Sequence, residues 1–282
     1  MYKKYNFRAD VTGKNILFLG GVHGNETAGT IAQNEIISLI EKGEIKLKSG
    51  SVTFIPCVNM MANKMDARYV DENLNRVVRF HDNPITNEQK IANVLIKEIS
   101  EADIMLDIHS THCPNDKEFA FIDYPTQDNL ELLSLMPVES ALAGWPQIYD
   151  GNENIENYCT EKYAFENNKT AITIECGFHK SEKAAQIAKK AILNVLSHYD
   201  IIDDEVTDVQ EQQIIQLLNY EVKKADGKFT KDYAHLTKIA KDEIVAVYDN
   251  GEVIKSDIDG YIIMPNHQAL IGDEWFYFGV DI

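Results

Sequence analysis

The stretch Ile16-Leu17-Phe18-Leu19-Gly20-Gly21-Val22-His23-Gly24-Asn25-Glu26-Thr27 decides how this chain is read. Its apolar run, Ile16–Leu19, has the composition of a short buried strand. The segment that follows, Thr27–Glu41, repeats apolar residues at helical spacing, and Gly43 lies where such a helix stops. Between them a glycine-rich turn carries His23 and Glu26, three positions apart, at the carboxyl end of a strand. Open α/β sheets place their ligand sites at that edge. A neutral imidazole and a carboxylate suit zinc, and a second histidine on another strand would complete an open three-ligand site.

The same alternation continues outward to about residue 199. Strands are expected at Ser51–Val58, Ile104–His109, Phe119–Tyr124 and Thr170–Cys176, and helices at Asn87–Glu101 and Glu182–His198. Thr86 with Gln89 forms a capping box for the first of these helices, and Ser181 caps the second. Strands alternating with helices predict an α/β fold, a mainly parallel mixed sheet flanked by helices. Past the acidic stretch Asp200–Asp208 the chain changes to short β-like runs broken by Asp226-Gly227, Asn250-Gly251 and Asp259-Gly260. Asn250-Gly251, between Ile244–Tyr248 and Glu252–Lys255, is a two-residue hairpin signal. The expected division is an α/β domain over residues 1–204 and a small all-β domain over residues 205–282.

Bulk properties exclude several classes. The 282 residues carry a net charge of −18, which argues against non-specific binding to nucleic acid or to anionic lipid. No apolar run approaches the length of a membrane span. The basic opening Met1-Tyr2-Lys3-Lys4 is followed by Asn6, Arg8 and Asp10 rather than by a signal-peptide apolar region, so a cytoplasmic location is expected. The 4 cysteines, Cys57, Cys113, Cys159 and Cys176, show no CxxC spacing and do not read as a disulfide framework. Cys57 and Cys176 sit in apolar runs and read as packing residues; a nucleophilic Cys176 is the sharper alternative, against which buried thiols are usually inert. Arginine is scarce, yet Arg68, Arg76 and Arg79 cluster. A chain that uses lysine for routine charge places arginine where a rigid fork meets a carboxylate.

Four pieces near strand ends carry the chemistry: His23-x-x-Glu26; Arg68 with Asn73-Leu74-Asn75-Arg76; Leu106-Asp107-Ile108-His109; and Ile174-Glu175-Cys176-Gly177. A carboxylate flanked by Ile174 and Cys176 must be paired, metal-linked or shifted in pKa, because an isolated buried charge is costly. A phosphate-binding turn is the reading from a different class, since Gly20-Gly21-x-x-Gly24 joins a strand to a helix. Its spacing matches neither GxGxxG nor a P-loop, and it would set a carboxylate beside the phosphate.

In order and wording, the four pieces resemble the zinc carboxypeptidase superfamily, and within it the succinylglutamate desuccinylase/aspartoacylase branch. The tail Trp275-Phe276-Tyr277-Phe278-Gly279 ends a C-terminal β domain such as that branch carries. The resemblance implies one Zn2+ per chain held by His23, Glu26 and His109. It implies Glu175 as general base, Arg68 as the oxyanion donor, and Asn75 and Arg76 as holders of a substrate carboxylate or acyl group. Asp107, on the same strand face as His109, would orient a ligand imidazole. Tyr277 would reach the site from the β domain, with Tyr158 and Tyr163 as competitors for that role. His112 is a weaker candidate ligand, because three protein ligands already complete the set. The implied activity is hydrolysis of the amide of a small N-acyl amino acid, with an oligomer compatible; the alternative is a metallocarboxypeptidase acting on a peptide or peptidoglycan fragment. Two departures stand out. Asn73 occupies a position where the branch has Asp, and no arginine lies between positions 80 and 282 to clamp an acidic side chain. Lys162 and Lys169 are the nearest substitutes.

Overall fold

Strands form where apolar residues run without interruption, and helices where they recur at a spacing of three to four. The computed structural model describes residues 2–112, 116–149 and 158–282. Its strands are β1 (Tyr5–Arg8), β2 (Asn15–Gly20), β3 (Ser51–Ile55), β4 (Ile104–Thr111), β5 (Phe119–Phe121), β6 (Ser140–Ala143), β7 (Thr170–Phe178) and β8 (Gln213–Val222). Shorter ones follow: β9 (Gly227–Phe229), β10 (Thr237–Ile239), β11 (Ile244–Tyr248), β12 (Val253–Lys255), β13 (Gly260–Ile263) and the longer β14 (Glu274–Asp281). The helices are α1 (Ala28–Glu41), α2 (Met60–Lys64), α3 (Asn87–Glu101), α4 (Gln127–Ser134), α5 (Trp145–Ile148), α6 (Thr160–Glu166) and α7 (Glu182–His198).

An 11-stranded mixed sheet runs β1-β3-β2-β4-β7-β5-β6-β8-β14-β13-β10. Its centre, β3-β2-β4-β7, is parallel. Alternation along β2 decides both faces: Ile16 and Phe18 pack with Ile36 of α1 and Ile192 of α7, while Leu17 and Leu19 pack with Leu95 and Ile99 of α3. The same period sorts β4 and β7. Leu106, Ile108, Ile172, Ile174 and Cys176 join the α1/α7 core, whereas Met105 and Ala171 join the α3 core. Asp107, His109, Thr173 and Glu175 therefore share the α3 face. Cys176 points away from them, and burial pushes its thiol far above the usual range, so a nucleophilic Cys176 is excluded by placement and by chemistry. Cys57 and Cys159 are free thiols; Cys113 lies outside the described residues.

Expected elements and observed ones differ mainly at their ends. The strand from Ser51 stops at Ile55 because Pro56 has no N–H for the ladder. Thr86 accepts from the Gln89 amide at 3.1 Å, but Gln89 Oε1 accepts from Ile85 N rather than from the cap residue, so only half of the capping box forms. Ser181 accepts from Lys183 N. The Asn250-Gly251 hairpin is one residue longer than expected. Tyr248 N donates to Glu252 O, leaving Asp249-Asn250-Gly251 as the loop, with Gly251 at φ +89°. Residues past 205 are all-β, but the ladder does not stop there: β6 pairs with β8 in parallel, and β14, β13 and β10 extend the same sheet. Among the described residues, only β12-β11-β9 form a sheet of their own.

The turn after β2 is fixed by backbone contact. Gly21 has φ +57°, a region that costs a side chain 1–2 kcal/mol. A Cβ on Gly24 would lie 2.2 Å from Asn63 N and 2.3 Å from Ala62 C, so α2 approaches the turn as closely as a glycine allows. Gly24 N donates to Arg68 O, and Asn63 Nδ2 donates to Gly24 O. The His23/Glu26 turn is thereby tied to the loop that carries Arg68.

Candidate active site

His23 and Glu26 come from the turn after β2, and His109 from the end of β4. Parallel pairing sets Leu19 beside Asp107, which brings the turn to the end of β4. Glu26 lies between the two rings: Oε1 is 2.8 Å from His23 Nδ1, and Oε2 is 2.8 Å from His109 Nδ1. The Ser110 amide donates to Oε2, and Arg68 Nη1 donates to Oε1 at 2.8 Å. All three side chains of the cluster are buried, and one donor atom from each lies within 4.8 Å of the others.

Acceptors on the far side orient both imidazoles. Asn73 Oδ1 accepts from the Asn75 amide and so faces inward, which makes His23 Nε2, 3.0 Å away, its other donor. Asp107 Oδ2 lies 3.0 Å from His109 Nε2 and also accepts the Thr160 hydroxyl. Asn73 thus does for His23 what a carboxylate would do, since any acceptor holds that tautomer. Burial first, then the Arg68 charge, holds the His23 pKa down to about 4. A neutral ring that donates from Nε2 presents a lone pair at Nδ1, opposite a carboxylate oxygen. Two lone pairs at 2.8 Å call for a cation between them. The donor set, two nitrogens and one carboxylate, fits a zinc ion. For His109 burial opposes protonation, but Asp107 and then Glu26 outweigh it and raise the pKa well above the usual value.

Glu175 is set beside the cluster by register, since His109 and Glu175 are direct partners on β4 and β7. Its Oε2 is buried with no hydrogen-bond partner among the described residues. Burial, and after it repulsion from Glu26, push its pKa up to about 8. Next to this carboxylate opens a cavity of about 130 Å³, lined by His23, Arg68, Asn75, Arg76, His109, Phe121, Asp123, Trp145, Cys159, Glu161, Thr173, Glu175 and Met264. Most of the residues expected at the site are therefore brought together. Arg68 is half-exposed at the rim, paired with Glu26, and Asn75 receives the Thr160 amide at 3.4 Å.

Tyr277 is placed elsewhere. Its hydroxyl donates to Glu274 Oε2 at 2.6 Å and lies 3.0 Å from the Tyr149 hydroxyl. Its ring packs 5.0 Å from that of Trp145, behind the cavity wall. Tyr163 belongs to the α3 core, and Tyr158 stacks under Arg79 and Lys162. His112 is exposed and outside the cluster, and neither Lys162 nor Lys169 lines the cavity. Sequence reasoning missed Asp123, Glu161, Trp145 and Met264. Of these, Asp123 carried a usable signal, an acid inside the apolar run Phe119–Tyr124.

It also missed Glu88. This fully buried carboxylate on α3 accepts from the amides of Val70, Asp71 and Glu72 and from the side chains of Asn59 and Asn87. Those bonds hold its pKa below the usual value despite burial. Glu88 thereby anchors the loop between Arg68 and Asn73. Replacement by Gln turns an NH2 toward backbone donors, and a loss of about 3 kcal/mol of stability is expected. Thermal melting checks the cost. A fall in kcat at retained metal content would show that the loop, rather than the cluster, has moved.

Fold and site together are those of a hydrolytic deacylase, with a His23/Glu26/His109 cluster that could hold a metal ion. The family model for the succinylglutamate desuccinylase/aspartoacylase catalytic domain matches residues 12–199, and the chain belongs to this family. No curated protein matches its sequence. Among solved structures, succinylglutamate desuccinylase/aspartoacylase from Rhodobacter sphaeroides superposes with a TM-score of 0.80 at 18% identity, covering 100% of this chain and 88% of that one. The product-bound ectoine utilization protein EutE (DoeB) from Ruegeria pomeroyi gives 0.77 at 20% identity, covering 98% and 88%. Succinylglutamate desuccinylase from Vibrio parahaemolyticus gives 0.74 at 18% identity, covering 99% and 86%. At such identities these structures share the fold. No helix among the described residues is long and apolar enough to cross a membrane.

Proposed function

We propose that this chain is a zinc-dependent hydrolase that cleaves the amide bond of a small N-acyl amino acid. The observation that carries the reading is the pairing of the His23/Glu26/His109 cluster with a Glu175 carboxylate oxygen that has no partner among the described residues and belongs to a side chain lining the same cavity. His23, Glu26 and His109 would hold the ion. When bound, zinc supplies Lewis-acid polarisation of the scissile carbonyl and a lowered pKa for the attacking water. Glu175 takes the proton from that water and passes it to the leaving nitrogen. Arg68, at the rim, swings from Glu26 to the developing oxyanion, a donor worth on the order of 3 kcal/mol. Asn75 and Arg76 hold the substrate's carboxylate.

The small cavity, with Phe121 and Trp145 in its wall, suits a single amino-acid derivative rather than a peptide. Two measurements test this: zinc content of the purified protein, and turnover of acetyl, succinyl and formyl amino acids beside dipeptides. One zinc per chain with acyl amino acids preferred is the expected result. Faster cleavage of dipeptides would transfer the site to carboxypeptidase chemistry.

A further inference from the structure

The catalytic cluster accounts for one end of the cavity. The other end holds two buried acids, Asp123 and Glu161, with Arg76 as the arginine whose charge reaches them. Asp123 is 5% exposed and lines the cavity. Its Oδ1 accepts from Trp145 N at 3.2 Å; its other oxygen accepts no hydrogen bond among the described residues. Its neighbour Glu161, 2% exposed, is satisfied: Oε1 accepts from Asp123 N and Oε2 from the Thr173 hydroxyl. Thr173 precedes Glu175 by two residues on the same strand face, so the acids lie about 7 Å along the cavity from the proposed base. That distance is a few bonds of a bound amino acid. Phe121 and Trp145, with centroids 5.3 Å apart and edge to face, line the same end. A buried carboxylate with a bare oxygen beside aromatic faces is the environment that receives an ammonium group.

We infer that the substrate carries a second, positively charged amine on its amino-acid portion, and that Asp123, with Glu161 behind it, binds that amine. The inference rests on the deacylase reading and gives its substrate a charge. Arg76 lines the cavity, has its hydrogen bond to the Asn75 carbonyl, and forms no ion pair among the described residues. It is left for the α-carboxylate, so the cavity matches a molecule with one anionic and one cationic group beside the scissile amide. Burial drives the Asp123 pKa up to about 7 against the Trp145 N–H and the Arg76 charge. An arriving cation reverses that cost.

Three substrates of similar length test the inference on the zinc-loaded protein: Nα-acetylornithine, Nα-acetylglutamine and Nα-acetylglutamate. Ornithine is expected to exceed glutamine in kcat/KM by on the order of 100-fold, and glutamate by more. Asp123→Asn is expected to bring the ornithine-to-glutamine ratio close to one, and Glu161→Gln to reduce it. Calorimetry of free ornithine against norvaline on the wild-type protein gives a reading that depends neither on turnover nor on a variant that folds; ornithine alone is expected to bind. Equal or faster cleavage of the glutamine or glutamate derivative overturns the cation site and leaves the deacylase standing. No cleavage of any of the three, with ornithine still bound, supports the cation site and removes the deacylase. No cleavage and no binding overturns both.

Discussion

Turnover by the zinc-loaded Glu175→Gln variant is expected to fall by about 10³-fold, with one zinc still bound per chain. The amide keeps the shape of the side chain, and Glu175 contributes no bond to His23, Glu26 or His109, so the cluster stays intact. Only the carboxylate proposed to carry the proton is lost. Metal analysis beside steady-state kinetics checks both halves; full turnover in the variant would sink the mechanism, and loss of zinc would make Glu175 part of the metal site. Stability should move in the opposite direction to activity. Burial and the Glu26 charge push the Glu175 pKa up to about 8 from its ordinary 4.5. The folded state then retains a proton that the unfolded chain gives up. The contribution of this group is complete below 4.5 and is lost as the pH rises through about 8. Glutamine cannot ionise, so Glu175→Gln is expected to raise the melting temperature of the chelated protein at pH 9 and to leave it little changed near pH 4. Calorimetric scans at the two values decide it.

Removing the central carboxylate has the second large effect. In Glu26→Ala, zinc affinity is expected to drop by about 10³-fold or more, since even the groups that merely orient ligands are worth 10–100-fold. Glu26 accepts from Arg68 and the Ser110 amide and lies against both imidazoles, so its loss also leaves a buried N–H and two ring nitrogens without their partner. The chelated protein should lose about 3 kcal/mol as well. Competition with a chromogenic chelator measures the first quantity, and denaturant titration the second. Zinc retention at wild-type affinity would show that this carboxylate is no ligand.

Much of the architecture was legible because β2, β4 and β7 are buried on both faces and read as apolar runs, while α3 and α7 show an unbroken helical period. The elements that escaped are those whose stability comes from neighbours. β6 is Ser-Ala-Leu-Ala, four buried residues with no strand signature beyond their place between β5 and β8. β1 alternates partly buried and exposed residues at the sheet's edge. α4 was within reach, since Thr126 accepts from the Asn129 amide as a capping residue does. For the site, His23, Glu26, His109 and Glu175 announce themselves as polar residues at the ends of apolar strands. Glu161 does not: an acid in the first turn of a helix is ordinary. Only the packing of α6 onto β7 turns it into a cavity wall. Glu88 is hidden for the same reason, being an acid at the start of α3 whose donors come from a loop far upstream.

The ladder that crosses from β6 to β8 has a consequence for how the chain can be divided. A strand at the rim of a sheet offers a row of unsatisfied amides and carbonyls to any passing chain. Here β8 covers that rim on β6, and β14, β13 and β10 move the boundary outward to a strand of three residues, Thr237–Ile239. Cutting the protein between its helical and its all-β parts would expose the flat, wholly buried Ser140–Ala143 segment to solvent and to other copies. The C-terminal segment thus works as a guard against self-association as well as a wall, through Met264, of the cavity beside Glu175. Its removal trades a covered sheet rim for a sticky edge.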